Sequence, residues 1–176
     1  LQNREAVLES ITRKTRNVEP PPPFITSTLQ QEASKILSFQ AQRTMSIAQQ
    51  LYEGIDTGGD SSGLITYMRT DSTRMSDEAI AACKELISQR FGADMLHSGT
   101  RVYKSKQGAQ DAHEAIRPTD PGKTPESLQA HLSKEQLKLY TLIWQRFVAT
   151  QMKSAKILAT SATISVGDAG FGATGN

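Results

Sequence analysis

Gly63-Leu64-Ile65-Thr66-Tyr67-Met68-Arg69-Thr70-Asp71-Ser72 reads as a short strand over Leu64–Arg69 that runs into a polar turn, Thr70-Asp71-Ser72-Thr73. Residues two apart on a strand share a face. The alternation therefore puts Ile65, Tyr67 and Arg69 on one face and Leu64, Thr66 and Met68 on the other, the face expected to meet the core. A phenol and a guanidinium then stand side by side at a strand end. A phenol is a competent nucleophile toward phosphorus. A guanidinium grips phosphate oxygens at two points and offsets charge in the transition state. Taken alone, the pair also fits the ordinary case of a half-buried Tyr beside a solvated Arg.

The flanks of this strand are helical in pattern. Thr26, Ser27 or Thr28 is placed to cap a helix with Leu29, Ala33, Ile36 and Leu37 on one face. A second helix follows, with Ala48, Leu51, Tyr52 and Ile55 as its apolar face. The two form a helix-turn-helix-like pair, a geometry that suits DNA binding or plain packing. Thr57–Gly63 is a Gly/Ser-rich loop feeding the Tyr67 strand. Downstream, Ser76 is an N-cap with Asp77 and Glu78 in the first turn and a staple of Met75 and Ile80. Ile80, Cys83, Ile87 and Phe91 make its stripe, and Gly92 ends it. Residues 93–124 lack a period. Ser133 opens the longest helix, to about Met152, with Leu137, Tyr140, Trp144, Phe147, Val148 and Gln151 inward. Helical spacing makes its aromatics core residues rather than a base-stacking platform.

The ends read differently. Ala6–Val18 and Ala155–Val166 have the β-branched, alternating character of strands. Pro20–Pro23 is a stiff connector. Arg13, Lys14 and Arg16 are either phosphate contacts or charges that guard an edge strand. The absence of an initial Met and the Gly-rich tail suggest an excised piece of a larger protein.

A formal net charge of +2 over 176 residues excludes a strongly basic domain, so any nucleic-acid surface must be local. The single Cys83 excludes an internal disulfide framework. No apolar run is long enough for a bilayer, so no membrane partner is expected.

Gly63–Ser72 resembles the active-site signature of type IA DNA topoisomerases, the bacterial topoisomerase I family. Pro23-Phe24-Ile25-Thr26-Ser27-Thr28-Leu29-Gln30-Gln31-Glu32-Ala33 and Ala112-His113-Glu114-Ala115-Ile116-Arg117-Pro118-Thr119 resemble the same family, in the same order. The resemblance implies a mainly α chain with short strands. A helical tyrosine-bearing domain, residues 21–154, would be inserted into a truncated β arch domain formed by residues 1–20 and 155–176. It implies relaxation of negatively supercoiled DNA by transient single-strand cleavage through a 5′-phosphotyrosine on Tyr67, then strand passage and religation without ATP. Arg69 would assist the catalysis, and His113 would interact with DNA phosphate.

Other roles stay open. Asp71 could orient Arg69, hold a water, or simply accept local amides in the turn. Thr70 could contact phosphate or cap the turn. Arg117 could contact phosphate or pair with Glu114. His97 and His131 match no motif and are expected at the surface. The family's acidic metal-binding cluster, of the kind Asp-x-Asp-x-Glu, does not occur in the sequence, and no zinc spacing occurs either. The resemblance implies Mg2+ in the full-length enzyme, bound outside these residues, with no cofactor expected within them. The implied partners are single-stranded or underwound DNA and an N-terminal metal-binding domain. The implied location is the bacterial cytoplasm, at the nucleoid. The alternative function is a non-catalytic DNA-binding helix-turn-helix-like module with Tyr67 buried in its strand. A tyrosine recombinase would require Tyr67 on a helix, and a plain interaction domain would need no DNA.

Overall fold

The computed structural model describes residues 5–57, 61–103 and 113–175. The loop glycines Gly58 and Gly59 and the first residue of the third motif, Ala112, lie outside these residues. The chain divides into two compact units, one formed by Leu1–Glu19 with Ser154–Asn176 and the other by Pro20–Lys153.

The first unit is an antiparallel sheet in the order β1-β2-β3, with β1 at Ala6–Val18, β2 at Ala155–Val166 and β3 at Ala169–Gly175. β1 and β2 pair along their whole lengths, from Ala6 opposite Val166 to Val18 opposite Ala155, with a register shift between Leu8 and Ser10. These strands are 13 and 12 residues long, with the bounds the sequence pattern predicts. β3 was not legible in the Gly-rich tail. A turn at Gly167, with φ of 61°, folds the tail back so that pairing with β2 overrides its low strand propensity. No described residue of this sheet is buried.

The second unit holds four helices: α1 (Thr26–Leu37), α2 (Ala41–Glu53), α3 (Asp77–Phe91) and α4 (Lys134–Gln151). Ser76 caps α3, its hydroxyl accepting from the Ala79 amide. Ser133 and Gln136 close a capping box at α4. α4 is the centre of the core: Leu139, Tyr140, Ile143 and Phe147 are fully buried. The Tyr140 hydroxyl donates to the Lys123 carbonyl at 2.5 Å, and the Trp144 indole donates to the Pro121 carbonyl at 2.8 Å. Each large aromatic thus buries its ring and still satisfies its polar end. Cys83 is buried against α4, and burial pushes its thiol up to about 12, which leaves it an inert core residue.

One cap and four apolar assignments need correction. α1 begins at an Ile25 N-cap, and none of Thr26, Ser27 and Thr28 takes that place. The Thr28 hydroxyl instead accepts from the Ile25 amide, and Thr26 is used elsewhere. The buried stripe of α2 is Thr44, Ile47, Ala48 and Leu51. Tyr52, one residue past Leu51, is rotated about 100° off that stripe and is exposed. Ile55 lies beyond the helix, which stops at Glu53. Ile36 and Phe91, in the last turns of their helices, are also exposed.

The Tyr67 segment is not a continuous strand. It makes one bridge, Ile65 to Pro118. Ile65 is buried like Leu64, against the expected alternation. The cause is that hydrogen bonds cover this stretch from two sides. Leu64 donates to the Leu51 carbonyl at the end of α2, and Thr119 donates to the Leu64 carbonyl. Beyond Ile65 the alternation resumes: Met68 is buried while Tyr67 and Arg69 are exposed.

Candidate active site

Two threonines pin the backbone on either side of Tyr67. Thr66 donates its amide to the Arg117 carbonyl at 2.9 Å and its hydroxyl to the Ala115 carbonyl at 2.6 Å. The Arg117 amide returns a bond to the Thr66 hydroxyl at 3.0 Å. On the far side, the Thr26 hydroxyl reaches the Met68 carbonyl at 2.8 Å and accepts from the Thr70 amide at 3.0 Å. The Thr26 amide donates to the Thr70 carbonyl. The first and third motifs are therefore the splints of the second. With Met68 anchored in the core, Tyr67 and Arg69 stand outward on a fixed backbone.

The Tyr67 side chain is 40% exposed. Its ring stacks on His113, with centroids 6.3 Å apart and planes inclined by 30°. It also meets the ring of Tyr52 edge-on, at 5.3 Å and 65°. His113 continues into a cleft of about 590 Å³ lined by Arg69, Thr70, Asp71, Ser27, Gln30, Thr26 and Ile25. Among the described residues, the Tyr67 hydroxyl, the Arg69 guanidinium, the Asp71 carboxylate and the His113 ring make no hydrogen bond or ion pair. An exposed phenol is thus stacked on His113, one of the uncommitted polar groups that line the cleft. Of these groups, the Arg69 guanidinium and the His113 ring can donate to the oxygens of a phosphate ester.

The open roles divide as follows. Asp71 neither pairs with Arg69 nor accepts local amides. The turn is closed instead by Thr70, whose hydroxyl accepts from Ser72, and by Ser72, whose hydroxyl accepts from Arg74. Arg117 does not line the cleft. Its guanidinium is held by Glu114 at 2.5 and 2.9 Å and by the Pro118 carbonyl, which favours the ion-pair reading. His131 is exposed, whereas His97 is half-buried, with its ring 3.3 Å from the Arg101 guanidinium. Tyr52, Thr66 and Thr26 are site residues that the sequence does not single out. Only the last two had a signal, as hydroxyls inside the motif segments.

The DNA topoisomerase family model matches residues 1–176, the whole chain. The chain belongs to the bacterial type IA DNA topoisomerase family. DNA topoisomerase 1 of Rickettsia felis (strain ATCC VR-1525 / URRWXCal2) is 50% identical over 155 residues, which are 88% of this chain and 20% of that protein. Full-length topoisomerase I from Thermotoga maritima matches with a TM-score of 0.78 at 42% identity, over 98% of this chain and 28% of that one. The chain thus spans well under a third of the length of either topoisomerase.

Removing Arg69 is expected to lower strand cleavage by the full-length topoisomerase about 100- to 1,000-fold, the scale of losing one preorganised donor in a transition state. Arg69→Lys is expected to recover only part of this, because an ammonium cannot make the two-point contact. Single-turnover cleavage of a labelled oligonucleotide measures both. An Arg69→Ala enzyme cleaving at the unsubstituted rate would remove Arg69 from the site.

Proposed function

We propose that Tyr67 is the nucleophile of a transesterification on single-stranded or underwound DNA. Its oxygen attacks a backbone phosphorus, a 5′-phosphotyrosine forms, and the 3′-oxygen leaves. One phosphoester replaces another, so religation by the reverse reaction needs no ATP. The single observation that carries this reading is the exposed, unbonded Tyr67 phenol beside unpaired Arg69 and His113 on a doubly pinned backbone. Arg69 supplies positive charge to the phosphorane-like transition state. His113 and Asp71 line the same cleft, and in this reading His113 meets a phosphate oxygen. Thr70 serves the turn first and reaches DNA only through the wall of the cleft. The rival DNA-binding module has less support, since it requires a buried Tyr67.

Coupled to strand passage, this cycle relaxes negatively supercoiled DNA. In this reading residues 1–20 and 155–176 are pieces of the arch, and residues 21–154 are the tyrosine domain. The protein works at the bacterial nucleoid, in the cytoplasm. Among the described residues no helix is long and apolar enough to cross a membrane. Mg2+ belongs to a partner domain of the full-length protein. Among the described residues no three His, Cys, Asp or Glu side chains group as a metal set, and no step here runs through the ion.

The test is to trap the reaction of the full-length enzyme with denaturant, digest it, and map the DNA-linked peptide. The adduct is expected on the peptide that contains Tyr67. An adduct on any other residue would refute the assignment.

A further inference from the structure

Tyr67 has a fixed backbone but an unfixed side chain. It is well exposed, and its hydroxyl has no hydrogen bond among the described residues. Two neighbouring rings pack against the phenol. One is His113, part of the reaction site itself. The other is Tyr52, which lies outside the motif segments and has no role in the chemistry above. The place of Tyr52 is tied to the same backbone as Tyr67. The Leu64 amide donates to the Leu51 carbonyl at 2.7 Å. Gly63 packs so tightly on α2 that a Cβ there would lie 2.2 Å from the Tyr52 carbonyl oxygen. The Tyr52 backbone is therefore held beside the Tyr67 segment, and its ring meets the Tyr67 ring at 5.3 Å.

We propose that Tyr52 is a positioning residue for the nucleophile: its ring, together with His113, holds the Tyr67 phenol in line for attack. The proposal rests on the phosphotyrosine reading and deepens it. An edge-to-face pair shifts a two-state balance by about 2- to 13-fold, the factor that its typical energy gives. Misplacement of a reacting atom by about 1 Å costs about 100-fold in rate. Tyr52 acts through its ring, because its hydroxyl also makes no hydrogen bond among the described residues. Positioning acts on the bond in both directions. A displaced nucleophile slows cleavage, and a displaced phosphotyrosine slows its reversal by the same factor.

The experiment compares the full-length enzyme with its Tyr52→Ala, Tyr52→Leu and Tyr52→Phe variants. It measures single-turnover cleavage and reversal on a labelled single-stranded oligonucleotide, the Kd for that oligonucleotide, and the thermal midpoint. Because the displaced arrangement reacts about 100-fold slower, the rate follows the positioned fraction, and Tyr52→Ala and Tyr52→Leu are expected to slow both directions by about 4- to 13-fold. The equilibrium fraction cleaved and the Kd should stay within about 3-fold, and Tyr52→Phe should react within about 3-fold of the unsubstituted enzyme. Equal rates for Tyr52→Ala and the parent would overturn the role. So would a loss confined to Kd, which marks a base contact instead, or a Tyr52→Phe enzyme as slow as Tyr52→Ala. A parent enzyme that forms no Tyr67 adduct would overturn the reading beneath it and the role together. A normal parent with an unaffected Tyr52→Ala would overturn the role alone.

Discussion

Tyr67→Phe in the full-length enzyme is expected to abolish covalent attachment to DNA while leaving fold and DNA binding almost unchanged. The substitution removes one oxygen. That oxygen makes no hydrogen bond among the described residues and stands at the exposed end of the ring, so its loss leaves no buried polar partner unsatisfied. The ring contacts with Tyr52 and His113 survive, because both are contacts of the ring and not of the hydroxyl. Stability should therefore move by no more than about 0.5 kcal/mol, the usual range for a surface change. The reaction, in contrast, loses its attacking atom, and no neighbouring hydroxyl is held where Tyr67 is held. Thr66 and Thr70, the flanking threonines of the segment, have their oxygens engaged by backbone groups. A denaturing gel of the variant with labelled DNA should show no shifted band, and a binding titration should match the unsubstituted protein. A covalent band in Tyr67→Phe would end the nucleophile assignment.

How much of this was legible depended on what each residue's place rests on. Helix ends governed by local chemistry could be read directly: Ser76 and Ser133 are caps because their own hydroxyls meet amides three residues on. The α4 stripe and both long strands were legible because their periods run over many residues. Failures came where tertiary contact outranks local pattern. Ile65 turned inward because residues 115–119 and the end of α2 enclose it. β3 formed because β2 offered a partner edge. Tyr52 was read as core from its helical spacing, yet it stands off the stripe and against Tyr67. At the site, the Tyr67–Arg69 pair could be read from two-residue spacing. Its approach to His113, 46 positions away, could not be read from spacing at all. Only the likeness of the three segments to one family brought them together before the structure did. What no sequence pattern held was the reason for their nearness: backbone bonds from Thr66 to 115–117 and from Thr26 to 68–70.

The 176-residue chain by itself is expected to leave supercoiled DNA unrelaxed and to form no detectable phosphotyrosine, with or without added Mg2+. A free phenol titrates near 10 and is protonated at neutral pH, so attack requires a base or a strongly positive field. Among the described residues nothing accepts a hydrogen bond from the Tyr67 hydroxyl. His113 meets the ring by stacking. Arg69 and Asp71 line the cleft with opposite charges, so the pair adds no net charge there. Arg69 cannot remove a proton at ordinary pH. The leaving 3′-oxygen also needs a donor or a cation, and no described side chain of this cleft is assigned to it. Groups that act as one catalytic unit lose nearly everything when part of the unit is missing, so a correctly held nucleophile retains almost none of the whole activity. Binding is less demanding. Arg69 and the open polar groups of the cleft should hold single-stranded DNA weakly, and that affinity should fall as salt rises, because each phosphate contact releases counterions. A cleavage assay on the purified chain, paired with binding titrations at two salt concentrations, measures both halves. Salt-sensitive binding without cleavage is the expected result. Efficient cleavage would mean that these residues alone complete the chemistry, and that the base and the 3′-oxygen donor both lie among them.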